Sequence, residues 1–354
     1  MPAFRAGPQW LRVLAAALLL TAVTLPAGCA GWLVGPEPSA SPVAIFDRLW
    51  DEIDRYYAHF PVKQVDWDAL RDEFRPDAEE AESDGALFEV LCSMLERLQD
   101  GHVTLYSSRP LRACGYTGWF RNYRFNFFPV VIFEQYLDGA AEWAAGGRLT
   151  YGRLGPGTAY LHVAGFDGTG WLAEVDDVLA ALAPFDALVL DVRSNGGGSS
   201  ANADALAGRF ADQRRIHSYV QYRNGPDRND LTDPIARYVE PEGKTRFQGP
   251  VAVLTNRRCF SACESFVLAM DVLPNVTIVG DTTGGGLGNP LFRELQNGWV
   301  FRVPIWLQTT LEGRSLEGRG FAPHHAVQIT EPDEAVERDA ILDRALSLLG
   351  AGNG

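Results

Sequence analysis

Ser261 is where chemistry enters this sequence most readily. It sits in the run Arg258-Cys259-Phe260-Ser261-Ala262-Cys263-Glu264, just after the apolar stretch VAVLT at 251–255. A serine between a buried strand and a helix start has its Oγ exposed at the strand's carboxyl end, where open α/β sheets place their sites. The plainer reading is a helix N-cap, since Ser261 with Glu264 three residues on matches a capping box. A serine nucleophile needs a base. The only lysines are Lys63 and Lys244, both in polar stretches (PVKQ and EPEGKTR), so a buried lysine of lowered pKa is hard to supply. Of the six histidines, His102 in LQDGHVTL is the one held by a tight turn between two structured segments. Glu317, in the Gly-flanked run LEGRGFAPHHAV, is the candidate carboxylate to orient it.

A third element is DVRSNGGG, residues 191–198. Its glycines let backbone N–H groups approach an anion closely at a helix N-terminus. No Gly-Lys-Ser/Thr follows it, and no G-x-G-x-x-G is present, so neither a phosphate loop nor a dinucleotide fingerprint is expected. An oxyanion hole needs only one or two aimed N–H groups, and Gly197 with Ala262 are the candidates. No Cys/His cluster has metal-ligand spacing, so neither a metal nor a cofactor is expected.

The elements that must position these residues can be read from periodicity. From Val43 to Leu98 apolar residues recur at three- and four-residue steps, which predicts a small helical domain over 43–105 whose last helix ends at Gly101. Residues 106–157 are aromatic-rich without helical period and read as an irregular or stranded insert. From Thr158 strands alternate with helices: 160–163, 187–192, 251–255 and 276–280 against 171–181, 200–211 and 261–273. Apolar strands separated by helices predict an α/β core domain over 158–350, with a mostly parallel sheet covered on both faces. Alternation around Asn297-Gly298 predicts a hairpin over 291–309.

The chain starts with an address. Arg5 and Arg12, the apolar run 13–25 and the small residues before Cys29 read as a signal peptide over 1–28. They also resemble a bacterial lipoprotein processing site, with Cys29 lipidated and a Pro-rich tether over 29–42 linking the anchor to the folded part. Pro26 stands where such sites usually carry leucine. Export and a membrane anchor follow as expectations. Cys92, Cys114, Cys259 and Cys263 then allow three disulfide pairings, which the sequence leaves open. With 46% apolar and 21% charged residues the chain is globular in composition, which excludes wholesale disorder. Its net charge of −14 disfavours nucleic-acid partners.

Four of these segments, in order, resemble the C-terminal-processing (tail-specific) serine peptidases, in their tricorn-core-like branch. LQDGHVTL resembles "L-x-D-x-H", DVRSNGGG resembles "D-[LV]-R-x-N-x-G-G", FSACESF resembles "S-A-S-E-x-F", and LEGRGFAPHHAV resembles "E-G-x-G-V-x-P-D-x-x-V". The resemblance implies a ClpP/crotonase-like α/β core behind an N-terminal helical domain. It also implies Ser261 as nucleophile, His102 as base, Glu317 completing the site, an oxyanion-hole glycine, and polypeptide substrates. Departures are Cys263 for a small residue, His324 for the usual aspartate, and no recognisable PDZ segment between His102 and Tyr160. The Ser–Lys branch of the family is excluded, because Gly286 in GDTTGGGLG stands where its lysine would be.

The leading expectation is therefore an exported serine endopeptidase. A histidine base near its reference pKa predicts activity rising through roughly pH 6–7. The alternatives are a non-catalytic ligand- or peptide-binding member of the same fold, such as the retinoid-binding modules, and a crotonase-type acyl-CoA enzyme. Export argues against the latter, because its substrates are cytoplasmic.

Overall fold

The structure is a computed structural model that describes residues 40–120, 123–137, 139–330, 333 and 338–351. Cys29 and the expected leader and most of the tether lie outside the described residues.

Three helices open the fold: α1 (Pro42–Tyr56), α2 (Trp67–Glu79) and α3 (Asp84–Glu96). Ser41, Asp66 and Ser83 cap them, each side chain accepting a backbone N–H from the first turn. A hairpin follows, β1 (Thr104–Ser108) and β2 (Leu111–Gly115), and then β3 (Glu142–Ala144), β4 (Leu149–Arg153) and β5 (Thr158–Val163). The alternating region comprises α4 (Leu172–Leu182), β6 (Ala187–Asp191), α5 (Ser200–Gly208), β7 (Arg215–Tyr222), β8 (Ile235–Val239), β9 (Val251–Thr255), α6 (Ala262–Asp271) and β10 (Val276–Gly280). The chain closes with β11 (Pro290–Glu294), β12 (Val300–Pro304), β13 (Trp306–Thr309), β14 (His325–Ala326) and α7 (Ala340–Ala351).

The central sheet has the order β14-β10-β9-β6-β5-β4-β3, parallel from β14 to β5 and antiparallel at the β4 and β3 edge. Alternate residues of its buried strands serve two cores. Leu188 and Leu190 pack with Ala203, Phe266 and Val267 under α4–α6, while Val189 and Leu254 pack with Ile341 and Leu342 under α7. The expected parallel sheet with both faces covered is therefore present.

The helical domain is built from two distant parts of the chain. The hairpin β11–β12 pairs with β1 to give a sheet β11-β12-β1-β2, and Trp299, Phe301 and Val303 fill one core with Phe46, Leu49, Ile53, Leu91 and Leu95. Residues 106–157 are not one insert. Their first strands join this helical unit, whereas β3 and β4 extend the central sheet.

Helix α3 also stops earlier than the sequence suggests. It ends at Glu96 rather than at Gly101, and Gln99 turns the chain with φ of 48°. The side chain of Asp100 then accepts the His102 amide at 2.8 Å and stabilises the turn in place of the glycine.

Candidate active site

The turn between β9 and α6 holds Ser261 in a left-handed backbone conformation, φ 59° and ψ −122°. Such a conformation is costly for a non-glycine residue and persists only where its surroundings enforce it. Here the Ser261 N–H donates to the Gly286 carbonyl at 3.0 Å, and a disulfide joins Cys259 to Cys263 across the turn. The hydroxyl makes no capping bond to its own helix, which sets aside the N-cap reading. It lies instead 2.9 Å from His102 Nε2. His102 is almost fully buried, and its ring is 4.7 Å from that of Phe260. Burial pushes the His102 pKa down to about 4, against the raising influence of Asp100 and with Arg302 and His59 adding to the fall. At neutral pH the imidazole is thus uncharged and able to accept the serine proton.

Glu317 does not sit on the His102 ring. Its carboxylate accepts from Lys63 Nζ at 2.8 Å and comes within 3.7 Å of His59 Nδ1. Among the described residues, neither His102 Nδ1 nor Glu317 Oε2, both buried, has a hydrogen-bond partner. Burial first, and then the Asp100 carboxylate, push the Glu317 pKa up, while His59 and Lys63 oppose the rise. Lys63, set aside from its polar context, is in fact only 11% exposed, and its ammonium also donates to the Gln99 carbonyl at 2.8 Å. His59, Asp100 and Glu317 bring ligand-type atoms within 4.8 Å of one another, and the Lys63 ammonium is the cation beside them.

Gly197 is placed differently from the expectation. A Cβ at this position would stand 2.6 Å from the Phe260 carbonyl oxygen and 2.8 Å from Ser261 Cβ, so only glycine fits against the nucleophile turn. Its N–H, however, donates to Asn195 Oδ1 at 2.9 Å rather than facing an oxyanion. Ala262 is the first residue of α6, where helix geometry leaves the N–H without an intrahelical acceptor.

Comparisons with known proteins show the family. The profile of peptidase family S41 matches residues 157–327, and that of the tricorn protease C1 domain matches 38–96. A solved structure from Parabacteroides merdae, assigned as a peptidase, is 36% identical, with 88% of this chain and 97% of that chain covered and a TM-score of 0.80. The chain belongs to peptidase family S41. The carboxy-terminal processing protease CtpA of Bacillus subtilis is 25% identical over 147 residues, 42% of this chain but only 29% of that protein's length. Mature CPAF shares the fold, with a TM-score of 0.68 at 12% identity over 87% of this chain and 96% of that one.

Within this S41 fold, Gly286 packs closely against the turn that carries Ser261. A Cβ there would meet the Phe260 ring at 2.1 Å, and its carbonyl is already the acceptor for Ser261. The cysteine pairs, left open by the sequence, are Cys92–Cys114 and Cys259–Cys263. Tyr57, His59 and Lys63 carried no local signal. They reach the site because β11–β12 docks on the helices and carries the following segment, with Trp306 and Glu317, against them. Among the described residues no helix is long and apolar enough to cross a membrane.

Proposed function

We propose that the protein is an exported serine endopeptidase in which Ser261 attacks the scissile carbonyl of a polypeptide. His102 takes the serine proton through Nε2 and returns it to the leaving amine. The observation that carries this reading is the 2.9 Å contact between His102 Nε2 and a strained Ser261 that makes no helix cap. Glu317 supplies negative charge behind the base, from the far side of the Asp100–His59 pair. The Ala262 N–H and one amide of the 196–198 turn receive the oxyanion. No step draws on a metal or cofactor.

Export and a lipid anchor at Cys29 belong to the same reading. Arg5 and Arg12, the apolar run 13–25 and the small residues before Cys29 support them. A palmitate analogue should tag the wild type and not Cys29→Ser; equal labelling of both would remove the anchor. For the peptidase itself, the wild type should degrade a casein-type substrate and Ser261→Ala should not, with its melting temperature nearly unchanged. Cleavage by the alanine variant at the wild-type rate would remove Ser261 as nucleophile.

A further inference from the structure

Behind His102 lies a buried chain of polar groups that the serine–histidine pair does not account for. His59 is completely buried, and both its ring nitrogens face oxygen acceptors: Nδ1 is 2.8 Å from Asp100 Oδ2 and Nε2 is 3.0 Å from the Trp306 carbonyl. A neutral imidazole offers only one N–H, so two acceptors are satisfied together only by the doubly protonated ring. Asp100, also completely buried, accepts from Tyr57 Oη at 2.9 Å on the same oxygen and from the His102 amide at 2.8 Å on the other. Its carboxylate thus grips the backbone of the base itself, two residues away, whereas Glu317 reaches only His59 and Lys63.

We propose that Asp100, clamped by a doubly protonated His59 and by Tyr57, is the positioning carboxylate for His102, and that Glu317 acts on the base only through this pair. The inference rests on the reading of His102 as the base of a peptidase. Asp100 fixes where the His102 backbone lies, and its negative charge stabilises the imidazolium that forms when the serine proton is taken. His59 is a positioning residue one step further back. Its charge keeps Asp100 ionised in a site where burial would otherwise favour the acid: burial raises the Asp100 pKa, but the His59 charge and hydrogen bond, then Lys63 and His102, hold it well below the carboxylate range. For His59 burial opposes the charge, and Glu317 and Asp100 outweigh it.

The charged and titratable groups around His102 make the test specific. Asp100 faces it from its own turn; Tyr57, His59 and Lys63 face the cluster from the segment after α1. Arg302 comes from β12, where it donates to Thr104 Oγ1, and Glu317 comes from the segment after β13. Removing the Asp100 charge takes away the group that favours the His102 imidazolium. Removing the His59 charge does the same by letting Asp100 take a proton, which outweighs the direct repulsion of His59, the smallest influence on the ring.

The experiment is an NMR titration of the His102 ring in the full chain, assigned by its loss in His102→Gln. Asp100→Asn keeps an acceptor for the His102 amide and should lower the titration midpoint. His59→Gln lets Asp100 take a proton and should lower it as well, and His59→Lys should return it toward the wild type. Tyr57→Phe leaves every charge in place and should leave the midpoint unmoved. A midpoint that stays put or rises in either variant would overturn the proposal, because a His59 that merely repelled the His102 ring would raise it on removal and a purely structural role would leave it unmoved. If Asp100→Asn does not fold, the His59→Gln and His59→Lys pair decides alone: a midpoint that does not fall with glutamine, or does not return with lysine, overturns it. Labelling of Ser261 by a fluorophosphonate separates the two readings. Falling midpoints without labelling would keep the cluster and remove the peptidase; labelling without such shifts would do the reverse.

Discussion

His102 Nε2 and Ser261 Oγ meet at 2.9 Å although 159 residues separate them in the chain. One comes from the turn after α3 in the helical domain and the other from the turn between β9 and α6 in the α/β core. The site therefore exists only while the two units are docked. The β11–β12 hairpin, which belongs to the core in sequence and to the helical domain in space, helps to hold them together.

The pH dependence should differ from that of an ordinary histidine. The base must be neutral to accept the serine proton, and burial holds His102 down to about 4. Reactivity should therefore be lost as pH falls through about 4, and be level at the roughly pH 6–7 expected from the reference pKa. The rate of Ser261 modification, measured against pH on protein shown to stay folded, checks this. A half-point near the reference value would mean that the imidazole is better solvated than its burial implies.

Lys63 should matter for stability, although its sequence context reads as surface. Lys63→Met leaves the Glu317 carboxylate buried beside Asp100, and breaking a buried pair costs about 3–5 kcal/mol. Burial and Asp100 already make Glu317 bind a proton more readily folded than unfolded, and losing Lys63 strengthens that preference. The protonated form is fully present below the unfolded pKa and is lost as pH rises through the folded one, so the deficit should grow with pH. Urea unfolding at about pH 5 and about pH 8 measures it. A variant as stable as the wild type at both would show that Lys63 is not a buried partner. Lys244→Met should have no comparable effect.

The two disulfides should separate stability from chemistry. Cys259→Ala/Cys263→Ala opens a short loop worth about 2 kcal/mol, and Cys92→Ala/Cys114→Ala a longer one worth about 3 kcal/mol. Only the first brackets the strained Ser261, so only the first should lower kcat, with KM little changed. Equal kcat in both double variants would show that the surrounding loops alone fix the nucleophile.

What the sequence made legible follows from how local each signal is. The parallel sheet could be read because Ala187–Asp191 and Val251–Thr255 are apolar on both faces, and the structure covers both faces. Ser261 and His102 stood in short recognisable runs, each in a turn between regular elements. Gly197 was legible as a glycine but not in its role, since its close approach to Phe260 and Ser261 depends on two turns 64 residues apart in the chain meeting in space. Tyr57, His59 and Lys63 were illegible because nothing in their own segment marks them. Their partners Asp100, Trp306 and Glu317 arrive from two other parts of the chain. The end of α3 was misplaced because Asp100, through its side chain, does what Gly101 was expected to do.

The central claim is that Ser261 is a nucleophile activated by His102. Its most direct test is intact-mass and peptide-level analysis after treatment with a fluorophosphonate. The account predicts a single adduct on the peptide carrying Ser261 in the wild type, none in Ser261→Ala, and formation slowed by several orders of magnitude in His102→Ala. A folded wild type that gains no adduct, or an adduct that persists when Ser261 is alanine, would contradict it.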